Sequence, residues 1–198
     1  MQAKKRFHHG NLKSALLDAA LSILDASGPD AITIREVARR AGVSHAAPAN
    51  HFADRRALLT EVSLLLFGQL ASDIENKIEA ERQSGMARIR SFADCLIEYG
   101  LEHPERYRML WRRDLVSNED QRLIRAMDGI YDRLIAEISS IGQPDNSDPH
   151  TLAIALWSLA HGYVSMRLDG NFDPATDDVT GEPRANAILD IFLAPYAT

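Results

Sequence analysis

The sequence predicts an all-α protein in two parts, and three observations carry that expectation. Apolar residues recur at three- and four-residue spacing almost throughout, and no run shows the period-two alternation of a half-buried strand. Gly, Pro, Ser, Thr and Asp fall where the periodic segments break, at positions suited to starting or stopping helices. Charge is divided unevenly: residues 1–60 hold nine Lys and Arg against five Asp and Glu, a net of +4, while the remainder holds 13 against 23, a net of -10.

The first helix carries Leu12, Leu16, Ala19 and Ile23 on one stripe and stops at Ser27-Gly28-Pro29, where Gly closes a helix and Pro prevents its resumption. Thr33, with Glu36 three residues on, forms a capping box for a second helix bearing Ile34, Val37, Ala38 and Ala41. Gly42 breaks that helix, and Ser44 caps a third over about 45–51. Asp54 caps a long fourth helix with Leu58, Val62, Leu65, Leu66, Leu70, Ile74 and Ile78 along it. Further helices are expected at 86–101, 104–112, 118–141, 149–168 and 183–194. Pro104 and Pro149 sit at first-turn positions, and Ser117 with Asp120 resembles a capping pair. Residues 142–148 and 170–182 read as loops.

Composition narrows the function. A chain of 198 residues with 45% hydrophobic and 25% charged residues is ordinary globular material. No stretch approaches the ~18 consecutive apolar residues of a membrane span, and the basic start lacks the apolar core of a signal peptide, so the expected location is cytoplasmic. The lone Cys95 excludes an intramolecular disulfide and a cysteine-rich zinc site. There is no HExxH pair, phosphate loop or nucleophile elbow, so no enzyme, cofactor or metal site is expected. A basic end on an acidic body suits a protein that touches phosphates at one end only, since counterion release is local and the distant charge is screened within ~10 Å.

Residues 33–52 read T-I-R-E-V-A-R-R-A-G-V-S-H-A-A-P-A-N-H-F. Two helices crossing at about 90–120° over a short turn need a small residue where their backbones approach and a glycine where the chain reverses, and Ala38 and Gly42 supply these. With Val43 and Phe52 turned inward, His45, Ala46, Ala47, Asn50 and the arginines face outward. That face suits a DNA major groove, where Asn can pair bidentately with adenine and Ala can touch a thymine methyl. His45 and Asn50 are the candidates for reaching base edges.

At these residues the chain resembles the tetracycline-repressor-like (TetR) family of bacterial regulators. The resemblance spans His8 to Glu61 and rests on His9-Gly10-Asn11-Leu12, Ile34-x-x-Val37-Ala38, Ala41-Gly42-Val43-Ser44, His51-Phe52 and Arg55-x-Ala57-Leu58-Leu59. Trp157-x-x-x-His161-Gly162 further resembles a family subgroup with a Trp-His-Gly signature. The resemblance implies a three-helix helix-turn-helix domain at 1–56, motif 33–52, joined by a long helix to a helical effector-binding and dimerisation domain at 57–198. It also implies a homodimer on a pseudo-palindromic DNA operator, acting as a repressor that a small-molecule effector releases. The implied DNA set is Thr33, Arg35, Ser44, His45, Ala46, Ala47, Asn50, His51 and Arg55, with Lys4, Lys5 and Arg6 as an N-terminal arm. Arg55 stands where the family carries a phosphate-contacting lysine.

The chain departs from the family in placing Pro48 and Ala49 where an apolar residue and a phosphate-contacting tyrosine are usual. Pro48 inside so short a helix removes one hydrogen bond and strains Ala47. The competing reading is a dimeric small-molecule-binding or protein-interaction module that has lost its operator grip. Effector-pocket candidates are Tyr99, Met109, Trp111, Tyr131, Trp157 and His161, although aromatic and Met residues at helical spacing also serve as plain core. His161 reads first as a hydrogen-bonded structural histidine and second as a ligand contact. The helix at 149–168 and the run Ile188, Leu189 and Phe192 are expected to pack across a two-fold axis.

Overall fold

The computed structural model describes residues 9–81, 85–141, 148–171 and 176–196, and among them every regular element is helical. The basic arm of Lys4, Lys5 and Arg6, His8, and positions 142–147 and 172–175 of the two expected loops lie outside the described residues. Eight α-helices follow in order: α1 His9–Ser27, α2 Ile34–Arg40, α3 Arg55–Ala80, α4 Met86–Glu102, α5 Pro104–Leu110, α6 Gln121–Ser140, α7 Pro149–Leu168 and α8 Arg184–Leu193. Three 3-10 turns, Pro29–Ala31, Ala47–Asn50 and Ala194–Tyr196, punctuate them.

The chain divides into two compact units. The first comprises residues 1–66 and 105–124, so α5 and the segment after it belong with the N-terminal helices. Its core is made by Leu16, Ala20, Leu24, Ile32, Val37, Ala38, Phe52, Leu58, Leu59 and Val62, joined by Tyr107, Met109, Val116 and Leu123. Their removal from water supplies the main driving force for the unit, at about 25 cal/mol per Å2 of apolar surface. Gly28 ends α1 with its N–H on Leu24 O at 2.8 Å and a φ of 77°. A Cβ there would also come within 2.9 Å of Glu105 Oε2, so a side chain meets both backbone strain and a neighbour.

The second unit comprises residues 67–104 and 125–198. Here α4 lies along α7 and is also packed by α8. Ile89, Phe92, Leu96 and Ile97 of α4 meet a core that includes Leu152, Ala153, Leu156, Ala160 and Val164 of α7 and Leu189 of α8. Asp148 caps α7, accepting from His150 N at 3.1 Å, with Pro149 in the first turn where its missing N–H costs nothing. Glu137 of α6 is buried at 4% exposure and is held by Arg133 at 3.0 Å, as a desolvated carboxylate requires.

Three expected features come out differently. The helix expected from 118 begins at Gln121, because Asp120 and not Ser117 caps it: Asp120 Oδ1 accepts from Arg122 N at 2.8 Å, while Ser117 N donates to Thr60 Oγ1 at 2.9 Å. Leu189, expected at an interface between copies, is fully buried in its own unit, whereas its neighbour Ile191 is 74% exposed. The helix expected over 45–51 is a turn followed by the 3-10 stretch Ala47–Asn50. By length and composition, α3 alone among the described helices could cross a membrane, with mean hydropathy 1.4 over an 18-residue window; half of that window is buried inside the protein.

Candidate nucleic-acid interface

The site is built by the chain between α2 and α3. Thr33 enters α2 with extended backbone, and its Oγ1 accepts from Glu36 N at 3.2 Å, half of the expected capping box. The other half is absent because the Glu36 carboxylate turns to Arg39, accepting from Nε at 2.7 Å and Nη2 at 2.5 Å. Those hydrogen bonds hold the Glu36 carboxyl below its ordinary range and neutralise the Arg39 charge locally. Arg40 donates to Ser22 Oγ at 2.8 Å. Arg35 is exposed and makes no ion pair among the described residues, and Arg40, bonded to a neutral hydroxyl, also keeps its charge, so these two α2 arginines can face an anion while Arg39 is paired.

The turn follows from two residues. Gly42 takes a φ of 68°, the left-handed backbone for which glycine has no steric penalty, and this lets Val43 N reach back to Ala38 O at 3.0 Å. Pro48 then prevents a continuous α-helix, because it has no N–H to bond Ser44 O. That carbonyl accepts from Ala47 N at 3.0 Å instead, Ala49 N donates to Ala46 O at 3.3 Å, and His51 N to Pro48 O at 2.9 Å. These are three-residue bonds, so the segment winds more tightly than α. Ser44 does not cap it: entry is through Ala46, without a side-chain cap. Pro48 and Phe52 are buried, pinning the segment to the core, and the His51 ring lies tilted on Phe52 with centroids 6.3 Å apart.

Thr33, Arg35, Ser44, His45, Ala46 and Asn50 are all exposed, while Ala47 and His51 are half-buried. Ala49 is exposed as well. Asp54 caps α3, accepting from Ala57 N at 2.8 Å. Arg55, the first residue of α3, has donors on two backbone carbonyls: Nε to Ile32 O at 2.6 Å and Nη2 to Pro29 O at 2.9 Å.

Residues 105–124 complete the unit through arginines that the sequence reading did not single out. Arg106 pairs with Asp25, and Arg112 with Asp30 at 3.3 Å. Arg56 Nη1 donates to Val116 O at 2.6 Å. Glu61 accepts from both Lys13 at 2.6 Å and Arg122 at 2.7 Å. Burial alone would raise the Glu61 carboxyl, but the Lys13 and Arg122 hydrogen bonds outweigh it and hold the group below its ordinary range. The available signal was six arginines between 106 and 125 in an otherwise acidic half of the chain.

The six pocket candidates are divided between the two units. Met109 and Trp111 fall in the first unit, Met109 fully buried and Trp111 edge-on to Tyr107 at 5.7 Å. In the second unit Trp157 packs on Phe92 at 5.9 Å, Tyr131 Oη lies 3.1 Å from His150 Nδ1, and His161 Nε2 lies 3.5 Å from Ser165 Oγ. Burial lowers the pKa of His161. Tyr99 lines a groove of about 460 Å3 with Asp73, Lys77, Cys95, Glu102 and His103. Among the described residues no cluster of three or more His, Cys, Asp or Glu could hold a metal.

A short helix, a glycine turn and an exposed polar segment on a packed three-element unit define a helix-turn-helix transcriptional regulator. Residues 16–62 match the bacterial regulatory proteins, tetR family, and residues 89–190 match the tetracyclin repressor-like C-terminal domain. The chain belongs to the tetR family. It is 26% identical over 166 residues, 84% of this chain and 74% of the relative, to an uncharacterized HTH-type transcriptional regulator of Mycobacterium tuberculosis. A Rhodococcus protein of unknown function superposes with TM-score 0.81 at 28% identity, covering 97% of this chain and 98% of its own. A TetR family transcription regulator from Marinobacter aquaeolei shares the fold with TM-score 0.67 at 17% identity, covering 93% and 95%.

Proposed function

We propose that the protein is a cytoplasmic homodimeric repressor that holds a pseudo-palindromic operator and leaves it when a small-molecule effector binds. The observation that carries the operator half is the outward set of Ser44, His45, Ala46, Ala49 and Asn50 beside Arg35, which makes no ion pair among the described residues. Thr33, Arg35, Ser44 and His51 contact phosphate in this reading, with Lys4, Lys5 and Arg6 adding charge. His45 and Asn50 reach base edges, and Ala46 and Ala47 give close approach. Operator contacts are assigned to 1–56, and effector binding and dimerisation to 57–198.

Exposed Ile154 and Met166 on α7 and Ile191 on α8, at 56%, 47% and 74%, support pairing between copies through these two helices. For the effector, Tyr99, Met109, Trp111, Tyr131, Trp157 and His161 are the candidates, and the Trp157-x-x-x-His161-Gly162 motif supports placing the chain in the Trp-His-Gly subgroup. One observation favours the competing reading of a binding module without operator grip: the shortened 3-10 segment around Pro48 offers less surface to a groove than a full helix. Selection of bound duplexes from fragmented genomic DNA separates the two. An enriched pseudo-palindrome is expected, and recovery of no enriched site favours the module.

A further inference from the structure

The segment expected to meet DNA has little internal rigidity. Between α2 and α3 it holds itself mainly by three-residue hydrogen bonds, so its placement depends on the two helices that flank it. Arg55 ties those flanks together. It is the first residue of α3, and its Nε and Nη2 edge reaches Ile32 O and Pro29 O, in the link that leads into α2. Pro29 and Ile32 are buried, so neither carbonyl is on a wandering loop. Ile32 O belongs to the peptide unit that leads into Thr33, the cap of α2.

A planar guanidinium can serve two such acceptors from one edge, whereas a lysine ammonium is a single point on a flexible stem. We propose that Arg55 is a positioning residue of the operator-binding segment. It fixes the entry of α2 against the first turn of α3, and so sets the pose of Arg35 and the Ser44–Asn50 segment, without contacting phosphate itself. This rests on the operator-binding reading above.

The test compares the full-length protein with Arg55→Lys and Arg55→Ala on a matched and a scrambled duplex across a salt series. Both variants should bind the matched duplex roughly tenfold more weakly, as expected when base contacts are misplaced. Binding to the scrambled duplex should weaken less than binding to the matched one, and Arg55→Lys should do no better than Arg55→Ala on either duplex. A slope reduced by about one, with Lys restoring affinity, would make Arg55 a phosphate contact and overturn the proposal. A lowered Tm with both affinities unchanged would make it merely structural and overturn it equally. Amide exchange without DNA gives an independent reading, in which the Ile32, Glu36 and Val37 amides should exchange faster in both variants. Unchanged exchange there overturns the clamp whether or not any duplex is bound, while failure of the wild-type protein to bind DNA counts against the operator reading alone.

Discussion

Arg106 and Asp25, 81 positions apart in the chain, meet side by side: Nε donates to Oδ1 and Nη2 to Oδ2, each at 2.7 Å. This two-point pair ties α5 to the end of α1 inside the first unit. Both side chains keep contact with water, at 23% and 44% exposure, so the energy is modest. A double-mutant cycle of Arg106→Ala and Asp25→Ala, read by urea unfolding, should give a coupling of about 0.5–1 kcal/mol at low salt that shrinks in high salt. A coupling of zero at low salt would contradict the assignment.

Glu61 should govern part of the acid sensitivity. Its folded pKa lies below the ordinary 4.5, so its pairing with Lys13 and Arg122 stabilises the protein above that value and is lost as pH falls through the lower folded value. Asp120, held at about 2 by Arg122, adds loss in the same direction between about 4 and 2. Asp94, raised chiefly by burial, works in the opposite sense. Glu61→Gln should cost about 1 kcal/mol at pH 7, and the gap to the wild-type protein should close on acidification below 4.5. A gap independent of pH would show that the charge is not the source.

Asn50 and Ala49 divide base reading from backbone grip. Asn50→Ala should cost ~1–3 kcal/mol at one base pair of each half-site and relax the preferred sequence there. Ala49 is exposed, so Ala49→Tyr has room and should tighten binding to matched and scrambled duplexes alike. Binding of both variants to systematically altered duplexes checks this. A change of base preference by Ala49→Tyr together with none by Asn50→Ala would reverse the assigned roles.

The exposed Ile154, Met166 and Ile191 predict a dimer near 44 kDa, twice the 22.0 kDa chain, by light scattering at micromolar concentration. Ile154→Asp with Ile191→Asp should shift it to monomer. A wild-type monomer would contradict the assembly.

The helices were legible because their boundaries are local chemistry. Thr33, Asp54 and Asp148 cap where the sequence places them, and Gly28 and Gly42 carry the positive φ their positions require. The recognition segment was half legible: Pro48 announced the lost hydrogen bond, but whether packing would restore the helix depended on burial of Pro48 and Phe52, which is tertiary. The grouping of 105–124 with the N-terminal helices was not legible. It depends on Arg56, Arg106, Arg112 and Arg122 finding partners dozens of residues away, and no local pattern encodes such pairings.

The salt dependence of binding to a selected duplex tests the central claim most directly. If the Arg35 and Ser44–Asn50 face grips DNA, log Kd should rise linearly with log salt, steeply enough to report several displaced counterions, and the matched duplex should bind at least about a thousandfold tighter than a scrambled one. Salt-independent binding, or equal affinity for both duplexes at low salt without any effector, would contradict the account.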